Sequence, residues 1–169
     1  DLYVDSTAQF AAVGTLPTGD SNKPVIITAT GELKRTPPQA STRDGVRVLS
    51  RMVMLSDGRI KGESTMHYAG TYAISSRQAW HDRQHTDPQN TVDWMLNRNK
   101  ESGKGSFKYG DPLDLSTNWV VNTSYELDEI ANLPGKSAFT LPYGSLRFND
   151  GDDFPYLCLP PDHRSRDTV

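Results

Sequence analysis

Val46-Arg47-Val48-Leu49-Ser50-Arg51-Met52-Val53-Met54-Leu55, then Ser56-Asp57-Gly58, then Ile60-Lys61-Gly62-Glu63-Ser64-Thr65-Met66-His67-Tyr68 is the stretch on which the fold turns. The first run is dense in Val, Leu and Met, and Arg47 and Arg51 share one face because side chains on a strand alternate with a period of two. Ser56-Asp57-Gly58 reads as a tight turn, with Gly58 supplying the positive φ that such turns need. Ile60 to Tyr68 then returns as the partner strand. The economical reading is a long antiparallel hairpin.

Outward from the hairpin the period changes and then changes back. Between 71 and 102, Ser75 or Ser76 is a candidate cap for a short helix carrying Ala79 and Trp80. A second helix has a cleaner start: Thr86 or Asp87 as N-cap, Pro88 at the first helical position, and Val92, Met95 and Leu96 on one face. Gly103 is expected to end it. Strands are expected again at Ser106–Tyr109, Trp119–Leu127 and Ser137–Leu141. Upstream, Leu2 and Val4 alternate with Tyr3 and Asp5 as in a short strand, and Val25-Ile26-Ile27-Thr28-Ala29 reads as a buried strand. Thr36-Pro37-Pro38 is the natural boundary, because a Pro-Pro pair is extended and joins no central ladder. The pattern predicts an α+β chain, mainly antiparallel β-sheet and sandwich-like, with a short helical insert.

Composition excludes several classes. Lys+Arg 18 against Asp+Glu 21, net charge −3, are mixed along the whole length, so no basic stripe is laid out in sequence for a phosphate backbone and no nucleic-acid partner is expected. No apolar run approaches the roughly 18 residues of a membrane span. A mean hydropathy of −0.63 is low for a compact globule yet too high for disorder. The single cysteine, Cys158, allows neither an internal disulfide nor a cysteine-based metal cluster. The chain opens at Asp1-Leu2-Tyr3-Val4 in what reads as mid-strand, which suggests a piece of a larger exported protein.

Candidate chemistry is sparse. His81-Asp82-Arg83-Gln84-His85 places two histidines four apart, the helical spacing that clasps a zinc ion, with an acid beside the first. Against it stand Asp in place of the longer Glu, a segment polar all round, and Thr86-Asp87-Pro88, which ends the helix near the second histidine. Asn149 to Asp153 lacks the ligand spacing of a calcium loop, and Asn122-Thr123-Ser124 satisfies a glycosylation pattern inside an expected strand. Cys158 has only His163 nearby, on a stretch with no rigid support for a nucleophile and its base. Asp5 ends an apolar segment, where a carboxylate is able to orient a histidine from an adjacent strand, although Thr7 two residues on invites a plain turn cap. Nothing in the sequence calls for a cofactor.

Leu2-Tyr3-Val4-Asp5-Ser6-Thr7-Ala8-Gln9-Phe10, followed by Val13-Gly14-Thr15-Leu16-Pro17, resembles the end of the catalytic core in bacterial transglutaminase-like proteins that carry uncharacterised domains on both sides of that core. Asn22-Lys23-Pro24, Thr36-Pro37-Pro38, the hairpin through Asp57-Gly58, Gly70, Arg77 and Asp111-Pro112-Leu113-Asp114-Leu115 are similar to the segments that follow there. The resemblance implies that residues 1–36 are an arm or the end of a papain-like core and residues 37–169 a C-terminal β-rich accessory domain. It implies that Asp5 is the orienting aspartate of a Cys-His-Asp triad whose Cys and His lie upstream; Ser6 departs from the Pro usual in the family. The chain itself is then non-catalytic, its partners the upstream catalytic core and a protein or peptide, its location the periplasm or cell envelope. Two alternatives are a stand-alone peptide- or glycan-binding module, with Trp80, Trp94 and Trp119 as stacking candidates, and a zinc-dependent hydrolase using His81 and His85.

Overall fold

A computed structural model of the chain describes residues 2–38, 44–98 and 100–129. Pro24–Ile27 (β1) and Glu32–Arg35 (β2) form a two-stranded antiparallel ribbon, Pro24 opposite Arg35 and Ile27 opposite Glu32. Its base is fastened by Thr36, which is buried: the hydroxyl donates to the Asp20 carbonyl at 2.5 Å and accepts from the Lys23 amide at 2.8 Å. Gly45–Met54 (β3) and Ile60–Ala69 (β4) are the expected hairpin, in register from Gly45↔Ala69 to Met54↔Ile60. The Leu55 amide donates to the Arg59 carbonyl at 2.8 Å and closes the turn, and Gly58 takes φ 86°. Thr71–Arg83 (α1) and Pro88–Arg98 (α2) follow, then Gly103–Tyr109 (β5) and Trp119–Leu127 (β6). The second sheet is antiparallel throughout, in the order β3-β4-β6-β5.

Two-residue alternation sorts the sheet into a wet and a dry face. Ile60, Met66 and Tyr68 of β4 and Trp119, Val121, Tyr125 and Leu127 of β6 point to one side, where they meet Trp80 of α1 and Val92, Met95 and Leu96 of α2. Trp80 lies between Phe107 and Tyr109 of β5, 4.5 Å from each ring centre. Among the described residues the layer opposite the sheet is therefore the helix pair, and the arrangement is α+β and β-rich without a second stacked sheet. The β1–β2 ribbon is too short and too exposed to be that layer: Ile26 and Leu33 face solvent.

Several boundaries differ from the sequence reading. No strand forms in residues 2–13, since alternation without a partner ladder holds nothing in place. The Val25 strand forms over Pro24–Ile27, with Val25 and Ile27 half-buried and Pro24 and Ile26 exposed, and stops short of the expected Ala29. Helix α1 starts at Thr71, ahead of both serines, because its cap arrives from another element: the Asp44 carboxylate, just before β3, accepts the Thr71 amide at 2.7 Å. Helix α2 starts as expected, with Asp87 Oδ1 accepting the Gln89 amide at 2.8 Å and the Asn90 amide at 3.3 Å. It ends before Gly103. Lys100 takes φ 57°, its amide donates to the Asn97 carbonyl at 3.0 Å, and the Glu101 amide donates to the Leu96 carbonyl at 2.9 Å, the two bonds of a Schellman ending. The strand expected at Ser137–Leu141, with Cys158, His163 and the Asn149–Asp153 turn, lies outside the described residues.

Candidate interaction surface

The wet face of the four-stranded sheet is built by the same alternation that builds the core. Arg47, Leu49, Arg51 and Val53 of β3 stand beside Lys61, Glu63, Thr65 and His67 of β4, then Val120, Asn122, Ser124 and Glu126 of β6, then Lys104, Ser106 and Lys108 of β5. Cross-strand register sets them in rows. One row runs Val53-Lys61-Glu126-Lys104, the next Arg51-Glu63-Ser124-Ser106, and the third Leu49-Thr65-Asn122-Lys108. A shallow groove of about 790 Å³ lies along it, lined by Arg51, Val53, Lys61, Glu63, Lys104 and Ser106 among others.

Glu126 anchors the first row. Its carboxylate receives Arg59, which also holds Asp57 at 2.7 Å, and lies 3.4 Å from Lys61 Nζ and 3.8 Å from Lys104 Nζ. Three cations converge on Glu126, with Asp57 and Glu129 also acting on Arg59, so the charge at this spot is largely balanced. Ser106 and Ser124 share a hydrogen bond at 2.9 Å, and the Thr65 hydroxyl donates to Asn122 Oδ1 at 2.9 Å. Asn122, the residue of the glycosylation pattern, is thus exposed on this face. Arg47, Arg51, Lys61, Lys104 and Lys108 outnumber Glu63 and Glu126 on a chain whose net charge is −3. Sequence reading missed this patch because its cations come from three strands far apart in the chain; the even spacing of Arg47 and Arg51 was the only local signal.

The residues singled out in the sequence are not brought together. Asp5 caps its own turn through one oxygen: Oδ1 accepts the Thr7 amide at 2.8 Å and the Thr7 hydroxyl at 2.7 Å, and the hydroxyl bond first, then the amide, holds its carboxyl below the usual range. Helix α1 ends at Arg83, between His81 and His85, so the pair does not face across one helical turn. The His81 ring instead packs on Phe10, 5.2 Å between centres. No group of three or more potential ligands occurs among the described residues. Trp80 and Trp119 are core, the Trp119 indole donating to the Ser76 hydroxyl at 2.8 Å. Trp94 lies under the guanidinium groups of Arg83 and Arg98, at 4.1 and 5.0 Å. None of the three offers the free stacking platform that the sequence allowed.

Arg77 has a structural task. Buried, it donates to the carbonyls of Pro112 at 3.0 Å, Asp114 at 2.8 Å and Thr117 at 2.7 Å, and its guanidinium lies 4.8 Å from the Trp119 ring centre. Burial lowers its pKa, opposed by the charges of Asp114 and Asp111. It fixes the 111–118 connection to α1 and so positions the start of β6.

Among the described residues the fold and the surface define a class, an α+β domain with one helix-covered and one open, basic sheet face. Comparison with protein families, with curated proteins and with solved structures finds no match. Among the described residues no helix is long and apolar enough to cross a membrane.

Proposed function

We propose that this chain is a non-catalytic accessory and interaction domain of a transglutaminase-like protein with a papain-like Cys-His-Asp core, located in the periplasm or cell envelope. Residues 1–36 seat it against that core. The observation that carries this reading is where the apolar surface lies: among the described residues Leu2, Val4, Val13, Ile26 and Leu33 are the most exposed large hydrophobic side chains, each between 60% and 78% accessible. Five such side chains within some thirty residues are an unusual load of exposed apolar surface, of the kind that marks a contact with another body. Phe10 turns inward, onto His81 of α1, and with Ala12 and Thr15 beside Tyr68 and Ala73 keeps this segment attached to the rest of the domain.

In that setting Asp5 orients the histidine of the core while Thr7 fixes its rotamer. A carboxylate alone neither attacks a carbonyl nor carries a proton to a thiol. The isolated chain therefore turns over no acyl substrate. The test is kinetic: in the longer protein, Asp5→Asn lowers kcat by several orders of magnitude, about 10⁴ where such an aspartate sets the imidazole tautomer. An unchanged kcat, or an encoding gene with no Cys and His ahead of Asp1, defeats the reading.

The open face favours a second reading, a stand-alone peptide-binding module, because its cations and hydroxyls suit an extended polar ligand. A gene that places a signal sequence directly before these residues decides for it.

A further inference from the structure

We propose that the outer edge of β3 is a docking strand for an extended, acidic segment of another protein, which adds to the sheet as a fifth strand. Among the described residues β3 is an edge, ten residues long, with β4 on one side only. Natural edge strands are usually short, bulged or covered, since a long flat one is a template for pairing. This one also carries apolar side chains on both faces. Val46, Val48 and Met52 pack on the core yet stay partly exposed, and Leu49, Val53 and Met54 are exposed. The helices bury the middle of the sheet, Met66 of β4 and Val121 of β6 being fully buried, and leave this margin half covered.

Charge selects the occupant. On the open face β3 presents Arg47, Leu49, Arg51 and Val53 in succession. Two copies of β3 pair poorly. A two-fold axis at Leu49 sets Arg47 opposite Arg51 twice, and an axis at Ser50 brings the two Arg51 side chains into diagonal contact; like charges so placed are unfavourable. A strand with Asp or Glu every fourth residue and an apolar residue between them places a carboxylate opposite each arginine and an aliphatic group opposite Leu49 and Val53. Main-chain bonds then give affinity, and the alternating side chains give selectivity. The surrounding face, with Lys61, Lys104 and Lys108 against Glu63 and Glu126, steers an acidic partner to this site. This inference goes beyond the seating of residues 1–36 and does not depend on it.

The probe is a capped peptide matched to the length of β3, with threonine at every second position and glutamate and valine taking turns at the others. Its control carries lysine for each glutamate. The glutamate peptide is expected to bind and to slow hydrogen exchange at every second amide of residues 45–54, with the lysine peptide about tenfold weaker or more. The double variant R47E/R51E, altered at two exposed positions, is expected to reverse that preference with unchanged thermal stability. Equal binding of both peptides, absence of binding, or protection confined elsewhere overturns the proposal. So does full protection of the β3 amides without peptide: if it is lost on dilution a second copy holds the edge, and if it is not, another segment of this chain does.

Discussion

Gly62 sits in a central strand of the sheet because Tyr125 needs its place. The two are directly opposite in the β4–β6 ladder, and a Cβ on Gly62 would fall 2.5 Å from the tyrosine ring. The ring therefore lies against bare backbone, and its hydroxyl reaches the Ser64 hydroxyl at 3.4 Å, which in turn meets that of Ser50 at 2.7 Å. Gly62→Ala is expected to cost about 1–3 kcal/mol, the usual range for an overpacked core; chemical denaturation measures it, and a loss below a few tenths would mean the ring moves freely. Burial raises the pKa of Tyr125, as it does that of Tyr109. The sign follows. A phenol whose folded pKa lies above its unfolded value contributes stability that is complete below about pH 10 and is lost as pH rises through the folded pKa. Absorbance titration is expected to show two tyrosines ionising late, together with alkaline unfolding. Asp57 and Asp114 have the opposite sign: hydrogen bonds from Arg59 to the first and from Ser116 to the second lower their pKa, so their contribution is present above the unfolded value and fades as acid protonates them.

The helices show what a linear reading reaches. Asp87-Pro88 is a local signal, with cap and first-turn proline adjacent in sequence, and α2 begins there. Helix α1 carries no such signal, because its cap is Asp44, 27 residues upstream, brought near only when β3 and β4 pair. Asp44→Ala is expected to cost about 0.5–2 kcal/mol, the range for losing a side-chain cap, with exchange quickening at the amides of Thr71 to Ala73. A loss spread over the whole sheet would contradict that local role. Helix α2 ends on Lys100 at φ 57°, a conformation that costs a residue with a Cβ about 1–2 kcal/mol, so Lys100→Gly is expected to raise Tm. Strand β5 began earlier than the sequence suggested for a related reason. Gly103, expected to end the helix, instead opens the strand: it lies opposite Leu127, where a Cβ would press on the β6 backbone at Glu126. The hairpin and β6 were legible because period and turn are local. The Asp44 cap, the Arg77 clamp and the basic face were not, because each joins residues from different elements.

For the molecule as a whole, two unlike surfaces organise the account. Residues 2–36 expose aliphatic side chains, and the open sheet face exposes cations and hydroxyls. In the proposed accessory role the first is buried against a catalytic core and the second stays free for a partner. The candidate site was only partly legible: Asp5 was visible as a residue, whereas the basic face, assembled from separate strands, was not. Hydrogen exchange over residues 2–36, measured in the isolated chain and again in the longer protein, tests the claim most directly. Fast exchange is expected at the amides of the Leu2–Val13 segment in isolation and strong protection in the longer protein, with the β4 and β6 amides slow in both. Equal exchange of the Leu2–Val13 amides in the two states would contradict it.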